Sequence, residues 1–303
     1  MSREDQRRLV ITGVPIDSVS APEPGSEPFG TELAPVALRA AGLASAIQAT
    51  DAGDLPVRLS GRVRDAQTGV VGWPSVRSLT MAVRLQASEI AAGGSVPFMV
   101  GGCCTLLPGA LAGARDVFGQ IGLAYLDGHL DTYDGQTSPT GEAADMPVSV
   151  IVGNGPGDWS AEVGAPLVGP DQLALLGPRD RAEAETLGAV LPENCGLGRE
   201  FSPAQLRDRG LSAAGQDAAD RLSREARRYW LHLDVDVLSE EVFPATDYLM
   251  PGGLSLAELQ DLMEPLAQGP GLAGLSLGCY NPAKDPDGSG ARAVVDLFGH
   301  LLG

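Results

Sequence analysis

Lysine is nearly absent from this 303-residue chain: Lys284 is the only one among 21 basic residues, set against 39 acidic ones. The resulting net charge of −18 repels phosphate backbones and anionic headgroups, which argues against nucleic-acid and membrane partners and weakly favours cations. Cysteine is scarce too, with four residues, two of them adjacent at Cys103 and Cys104. That pattern excludes a disulfide framework and fits a reducing cytoplasm. The opening MSREDQRRLVITGVPID lacks an apolar signal-peptide core. No apolar run approaches the roughly 18 residues needed to cross a bilayer. Histidine occurs only at positions 129, 232 and 300.

Hydrophobic residues make up 44% of the chain, enough for a substantial core. Short apolar runs alternate with helix-like stretches. RRLVITGVPI, VPFMVGG, IGLAYLDGH, DQLALLGPRD, RRYWLHLDVDVL and LAGLSLGCYNP read as strands. APVALRAAGLASAIQA at 34–49 and LPGALAGARDVF read as helices. Near-continuous apolar strands separated by helices predict an α/β fold with a parallel sheet covered on both faces, in one domain spanning 1–303. Loops are expected at 20–30, rich in Pro, Gly and Ser, and at 132–147, a long polar segment.

Ligands collect at the carboxyl ends of strands in such sheets, and polar clusters stand there: Cys103–Cys104, Asp127–Asp131, Asp234–Asp236 and Cys279–Asn281. On an extended chain, residues two apart face one side, so Asp127, His129 and Asp131 can converge, as can Asp234 and Asp236. Crowded carboxylates repel and raise one another's pKa, and a metal relieves that repulsion. Carboxylates with one imidazole suit Mn²⁺, or less selectively Fe, Ni or Zn. His232 falls on the same face as Asp234, either as an outer partner of the site or as a satisfied core histidine. His300 reads as a surface or packing residue, Cys195 has no evident partner, and Asp287 or Ser289 is expected to cap the last helix.

These motifs, in order and spacing, resemble the arginase/agmatinase (ureohydrolase) family. GTELAPVALRAAGL with DAGD is similar to its N-terminal helix and following strand, and GGCCT to its Gly-Gly-Asp-His turn. DGHLD, LDVDVL, PGGLSLAEL and YNP are similar to its Asp-x-His-x-Asp, Asp-x-Asp, Pro-Gly-Gly-Leu and Asn-Pro motifs. The resemblance implies a three-layer α/β/α domain on an eight-stranded, mainly parallel sheet, holding two Mn²⁺ bridged by hydroxide. Asp127 and Asp234 would bridge the metals; one metal would add Asp131 and position 104, the other His129 and Asp236. It also implies a homo-oligomer, a ring of three or six.

Several positions depart from the family. Cys104 stands where the family has a histidine ligand, and Cys103 where it has a supporting aspartate. Thiolate is a softer ligand, more at home on Zn or Fe. Cys279 aligns with the family's guanidinium-gripping glutamate, Ala144 with its loop histidine, and Ala182 with an acidic residue after its Arg-Asp strand end. Glu142 and Asp145 are the natural substitutes in the loop, as acid, base or cation-binding carboxylate.

The reading is a metal-dependent hydrolase of a linear, non-peptide C–N bond in a guanidino, N-hydroxyguanidino or amidine compound other than plain arginine. Asp131, Glu142 and Asp145 would serve as proton carriers around a metal-bound hydroxide. Tyr133, Ser138, Thr140, Glu142 and Cys279 would contact a small cationic or polar substrate. Two rivals remain: a single-metal deacylase using Asp127, His129 and one Asp of the 234–236 pair, and a catalytically inactive protein with a binding role.

Overall fold

The computed structural model describes residues 7–18, 30–197 and 199–303. The loop expected over 20–30 lies, apart from Gly30, outside the described residues. Eight strands form one parallel sheet: β1 (Leu9–Val14), β2 (Thr50–Asp54), β3 (Val96–Gly101), β4 (Gly122–Leu126), β5 (Leu173–Leu176), β6 (Glu200–Phe201), β7 (Tyr229–Asp234) and β8 (Leu272–Gly278). Their order is β2-β1-β3-β8-β7-β4-β5-β6. Every residue of β4, β7 and β8 is buried, as strands covered on both faces must be, which is why they read as unbroken apolar runs. The edge strands differ: β2 is exposed throughout and β6 has two half-buried residues. β6 carries no apolar pattern, so it escaped the sequence reading.

Helices Trp73–Ala92 and Leu107–Phe118 pack on each other, while Leu211–Ala226, Leu256–Gln268 and Ser289–Leu302 form a separate group. With the sheet between, they make three layers. The stretch 34–49 is not one helix. Gly42, at φ 97°, divides it into Ala34–Ala40 and Leu43–Ala46, because a left-handed backbone cannot continue a right-handed helix. At the last helix, Asp285 accepts from the amides of Gly290 and Ala291, and Asp287 from that of Ser289. The N-cap position itself is Gly288 rather than the expected Asp287 or Ser289, and Asp285 serves the amides of the first turn. His300 is exposed, and Cys195 does have a partner, since Asn154 Nδ2 donates to its sulfur at 2.9 Å.

Register decides where the chemistry falls. Val100 of β3 pairs with Leu277 of β8, Gly278 of β8 with Asp234 of β7, and Leu233 of β7 with Leu126 of β4. The carboxyl ends of four neighbouring strands therefore finish side by side, and all four are followed by polar clusters. The chain runs from β3 to β4 across β8 and β7, which creates the crevice in which α/β sheets bind ligands.

Candidate metal centre and active site

After β3 the chain turns sharply through Gly101 and Gly102. A Cβ on Gly102 would lie 1.8 Å from the Ile16 carbonyl oxygen, so no other residue fits the turn. Beyond it the two cysteines diverge. Cys103 turns away to Ser18 Oγ at 3.1 Å and Thr105 Oγ1 at 3.3 Å. Cys104 turns inward, with Sγ 2.8 Å from Asp234 Oδ2, 3.1 Å from His232 Nε2, and 3.8 Å from both Asp127 Oδ2 and Cys279 Sγ.

Asp127, His129 and Asp131 do not alternate along a strand, because β4 ends at Leu126. They lie in a turn, and Asp131 takes a left-handed φ of 51°, an uncommon conformation for a non-glycine residue. Asp236 likewise lies in a short 3-10 turn, Val235–Val237, with its amide donating to Asp234 Oδ1 at 2.9 Å. Turn geometry rather than strand pleat brings the donors together. His129 Nδ1 is 3.0 Å from Asp236 Oδ2 and 3.5 Å from Asp127 Oδ1. The Gly128 amide donates to Asp236 Oδ1 at 2.9 Å.

Three groups of potential ligand atoms result among the described residues, each spanning no more than 4.8 Å: Asp127, His129 and Asp236; Cys104, Asp234 and Cys279; and Cys104, Asp127 and His232. The first holds three of the four ligands that the resemblance implies for one metal, Asp234 being the fourth. The second differs from the implied sets. Asp131 belongs to none of the three groups; its Oδ2 accepts from the Tyr125 hydroxyl, and its carbonyl accepts from the amides of Val148 and Ser149. Cys279, expected to touch substrate, joins the sulfur-side group instead, although it also reaches the cavity.

Burial makes this floor electrostatically tense. It pushes Asp127 up to about 7, with the charge of Asp236 adding to the effect. Burial also drives Asp131 and Asp234 well above the usual carboxylate range. Asp236 is subject to the same burial, yet the neighbouring His129 brings it below its ordinary value. Burial alone would lower His129, but Asp236 and Asp127 raise it well above its usual value. Burial raises the Cys104 thiol strongly and lowers His232 to about 3. A divalent cation among these groups would favour the charged carboxylates and thiolates, so the donor set fits such an ion.

Above the floor opens a cavity of about 590 Å³. Its wall includes eight acidic residues (Asp131, Glu142, Asp145, Asp180, Glu183, Asp234, Asp236, Asp247) and, among the described residues, no lysine or arginine. The 132–147 loop supplies much of that wall. It is pinned at both ends, by the Tyr133 amide on the Asp145 carbonyl and by the Val148 amide on that of Asp131. Tyr133, Thr140, Glu142 and Asp145 face the cavity, whereas Ser138 does not. Ser138 is buried and donates to Asp145 Oδ2 at 2.7 Å, so it positions that carboxyl instead of meeting substrate. Burial raises Asp145 to about 7 despite this bond, and its Oδ1 is buried with no hydrogen-bond partner among the described residues. Glu142 Oε2 accepts from the Tyr248 hydroxyl at 2.8 Å, and the Tyr248 ring meets His129 edge-on.

The sequence reading missed the opposite wall. Asp180 accepts from the Leu130 amide at 3.1 Å, and Glu183 opens onto the cavity from the helix Arg181–Leu187. The missing acid sought at Ala182 thus has a counterpart one residue later. Asp247, Tyr248, Leu249 and Met250 form the rest, and Asp247 is paired with Lys284 at 2.7 Å. TDYLM, directly before the Pro-Gly-Gly-Leu motif, was the available signal. Arg179 is spent within the protein, donating to the carbonyls of Asp236, Leu238, Met250 and Pro251, which ties that wall to the end of β7.

Buried carboxylate, imidazole and thiol donors at the strand ends, opening onto an acidic cavity, define a metal-dependent hydrolase. Comparison with known proteins names the class. The Arginase family profile matches residues 7–303. An arginase from Staphylococcus aureus (strain MSSA476) is 26% identical over 297 residues, covering 95% of this chain and 97% of that protein. The native arginase structure from Bacillus caldovelox matches with a TM-score of 0.85 at 22% identity, covering 98% of this chain and 99% of that one. The proclavaminate amidinohydrolase of Streptomyces clavuligerus matches with a TM-score of 0.70 at 18% identity, covering 98% of this chain and 90% of that one. The chain belongs to the arginase family, metal-dependent hydrolases of guanidino and amidino C–N bonds.

Proposed function

We propose that the protein hydrolyses the C–N bond of a small guanidino or amidino compound that carries no free carboxylate into the cavity, which sets plain arginine aside. One observation carries this reading: eight acidic residues, and no lysine or arginine among the described residues, line the space above the metal donors. The wall offers a cationic substrate several carboxyl groups as acceptors, and it offers a substrate carboxylate no lysine or arginine to pair with. His129 is the only imidazole on the wall, and it is engaged by Asp236 and Asp127.

A divalent cation held by Asp127, His129 and Asp236, with a second beside Cys104 and Asp234, would supply Lewis acidity that makes a water molecule nucleophilic near neutral pH. Mn²⁺ suits the first, oxygen-and-nitrogen position. The protein's own groups orient the reactants and move the protons. Tyr125 holds Asp131 Oδ2, leaving Oδ1 to orient the attacking water and take its proton. Asp145, kept protonated toward neutrality by burial, is placed to give a proton to the departing nitrogen. Glu142, held by Tyr248, is placed to pair with the substrate's positive charge. The test is a turnover screen with the metal-loaded protein over guanidino, N-hydroxyguanidino, formimidoyl, ureido and acylamino compounds. Turnover confined to guanidino or amidino compounds without a carboxylate supports the proposal. Turnover of acylamino compounds alone would favour the single-metal deacylase, and arginine as the best substrate would remove the charge argument.

A further inference from the structure

We propose that Cys104, Cys279 and Asp234 form a zinc-selective site beside the harder one of Asp127, His129 and Asp236, so that the centre holds two unlike metals. This rests on the reading of the strand ends as a metal centre, and adds Cys279 as a ligand. Tetrahedral Zn²⁺ binds thiolate sulfur at about 2.3 Å, which sets two thiolates on one ion about 3.8 Å apart. Cys104 Sγ and Cys279 Sγ, from turns after different strands, are 3.8 Å apart. Asp234 Oδ2, 2.8 Å from Cys104 Sγ, supplies a third ligand atom. Three protein ligands with a fourth position left for water is the arrangement of catalytic zinc. Asp234 and Cys279 both line the cavity, so that fourth position would face substrate.

The backbone holds the two sulfurs together. Cys279 adopts φ 64°, a left-handed conformation that costs a non-glycine residue free energy and persists only where its surroundings enforce it. Its amide donates to the Gly102 carbonyl at 2.8 Å, which ties the end of β8 to the turn bearing Cys104. The residue between them in space is Gly278, where a Cβ would come within 3.2 Å of Cys104 Sγ. Behind the cysteine, Trp230 Nε1 donates to Ser276 Oγ at 2.8 Å, and Ser276 Oγ is 2.6 Å from His232 Nδ1. With Ser276 donating its own proton to Nδ1, His232 presents Nε2–H to Cys104 Sγ across 3.1 Å. A hydrogen bond of that polarity favours a metal-bound thiolate. Soft sulfur ligands select zinc, while two carboxylates and an imidazole accept manganese, so one preference cannot serve both halves.

The test strips the full-length protein of metal, offers equimolar Zn²⁺ and Mn²⁺, and measures bound metal by elemental analysis. One equivalent of each is expected, with zinc outlasting manganese under mild chelation. Loading with Co²⁺ should give a near-ultraviolet thiolate-to-cobalt charge-transfer band. Cys279→Ser should weaken zinc binding by at least about tenfold and diminish that band. Manganese retained by the same variant would show that it is folded. Two equivalents of manganese with no zinc preference would overturn the proposal. So would a wild-type cobalt spectrum without the band, a Cys104–Cys279 disulfide in the metal-loaded protein, or zinc binding unchanged in Cys279→Ser. None of these readouts involves turnover, so a failed substrate screen leaves them standing.

Discussion

The floor and the wall of the cavity are built by different means. Each donor on the floor ends or follows one of four adjacent parallel strands, and the register of β3, β8, β7 and β4 brings those strand ends together. The wall is assembled from the 132–147 loop, the start of one helix and the segment before Pro251, joined by single hydrogen bonds and one ion pair. A floor fixed by the sheet holds the chemistry constant, while a wall made of loops is free to change the substrate.

The largest expected effect comes from breaking the floor. Asp127→Asn, which removes a charge but little volume, should lower metal content and reduce turnover by more than about 100-fold, since even the outer partners of metal ligands carry 10- to 100-fold. Elemental analysis alongside kinetics checks this. Normal metal content in the variant would place Asp127 outside the ligand set. Glu142→Gln tests the wall and should behave differently. Metal content should stay at the wild-type level while kcat/KM falls about 10- to 100-fold, the scale of one hydrogen bond to a charged group. An unchanged kcat/KM would remove Glu142 from substrate binding.

The smallest effect concerns stability. Burial raises Asp145 from about 3.8 to about 7 in the folded protein, so the native state holds a proton that the unfolded chain has released between those pH values. Stability should therefore fall as pH rises from about 4 to about 7, and the loss should be complete above 7. Asp145→Asn keeps an acceptor for Ser138 and removes this titration. The variant should melt higher than wild type at pH 8, with the difference shrinking toward pH 4, in thermal melts at matched metal content. A difference that does not vary with pH would show that Asp145 is not titrating in this range.

The contrast between floor and wall also explains what the sequence made legible. Buried parallel strands must be apolar along their length, so β1, β3, β4, β5, β7 and β8 stood out, and polar residues ending such runs marked the floor. Strand periodicity gave the wrong reason for grouping Asp127, His129 and Asp131, and Asp234 with Asp236, because turns place them. Asp131 reaches the cavity beside His129, Asp234 and Asp236, and its carboxylate accepts from Tyr125. The wall was legible only where one continuous loop formed it, and even there Ser138 points inward to Asp145. Asp180, Glu183, Asp247 and Tyr248 reach the cavity from separate elements, a convergence that no local pattern encodes. The meeting of Cys279 with Cys104 spans 175 positions and depends on sheet order, which is why Cys279 was read as a substrate contact.

The account stands most directly on the coupling of C–N hydrolysis to metal held by the floor. The deciding measurement follows turnover of the best carboxylate-free guanidino compound while chelator-stripped protein is reloaded stepwise. The account predicts no turnover in the stripped protein and a rise in proportion to bound metal, with the rise absent in Asp127→Asn. Full turnover by stripped protein, or no turnover of any guanidino or amidino compound at full metal occupancy, would contradict it.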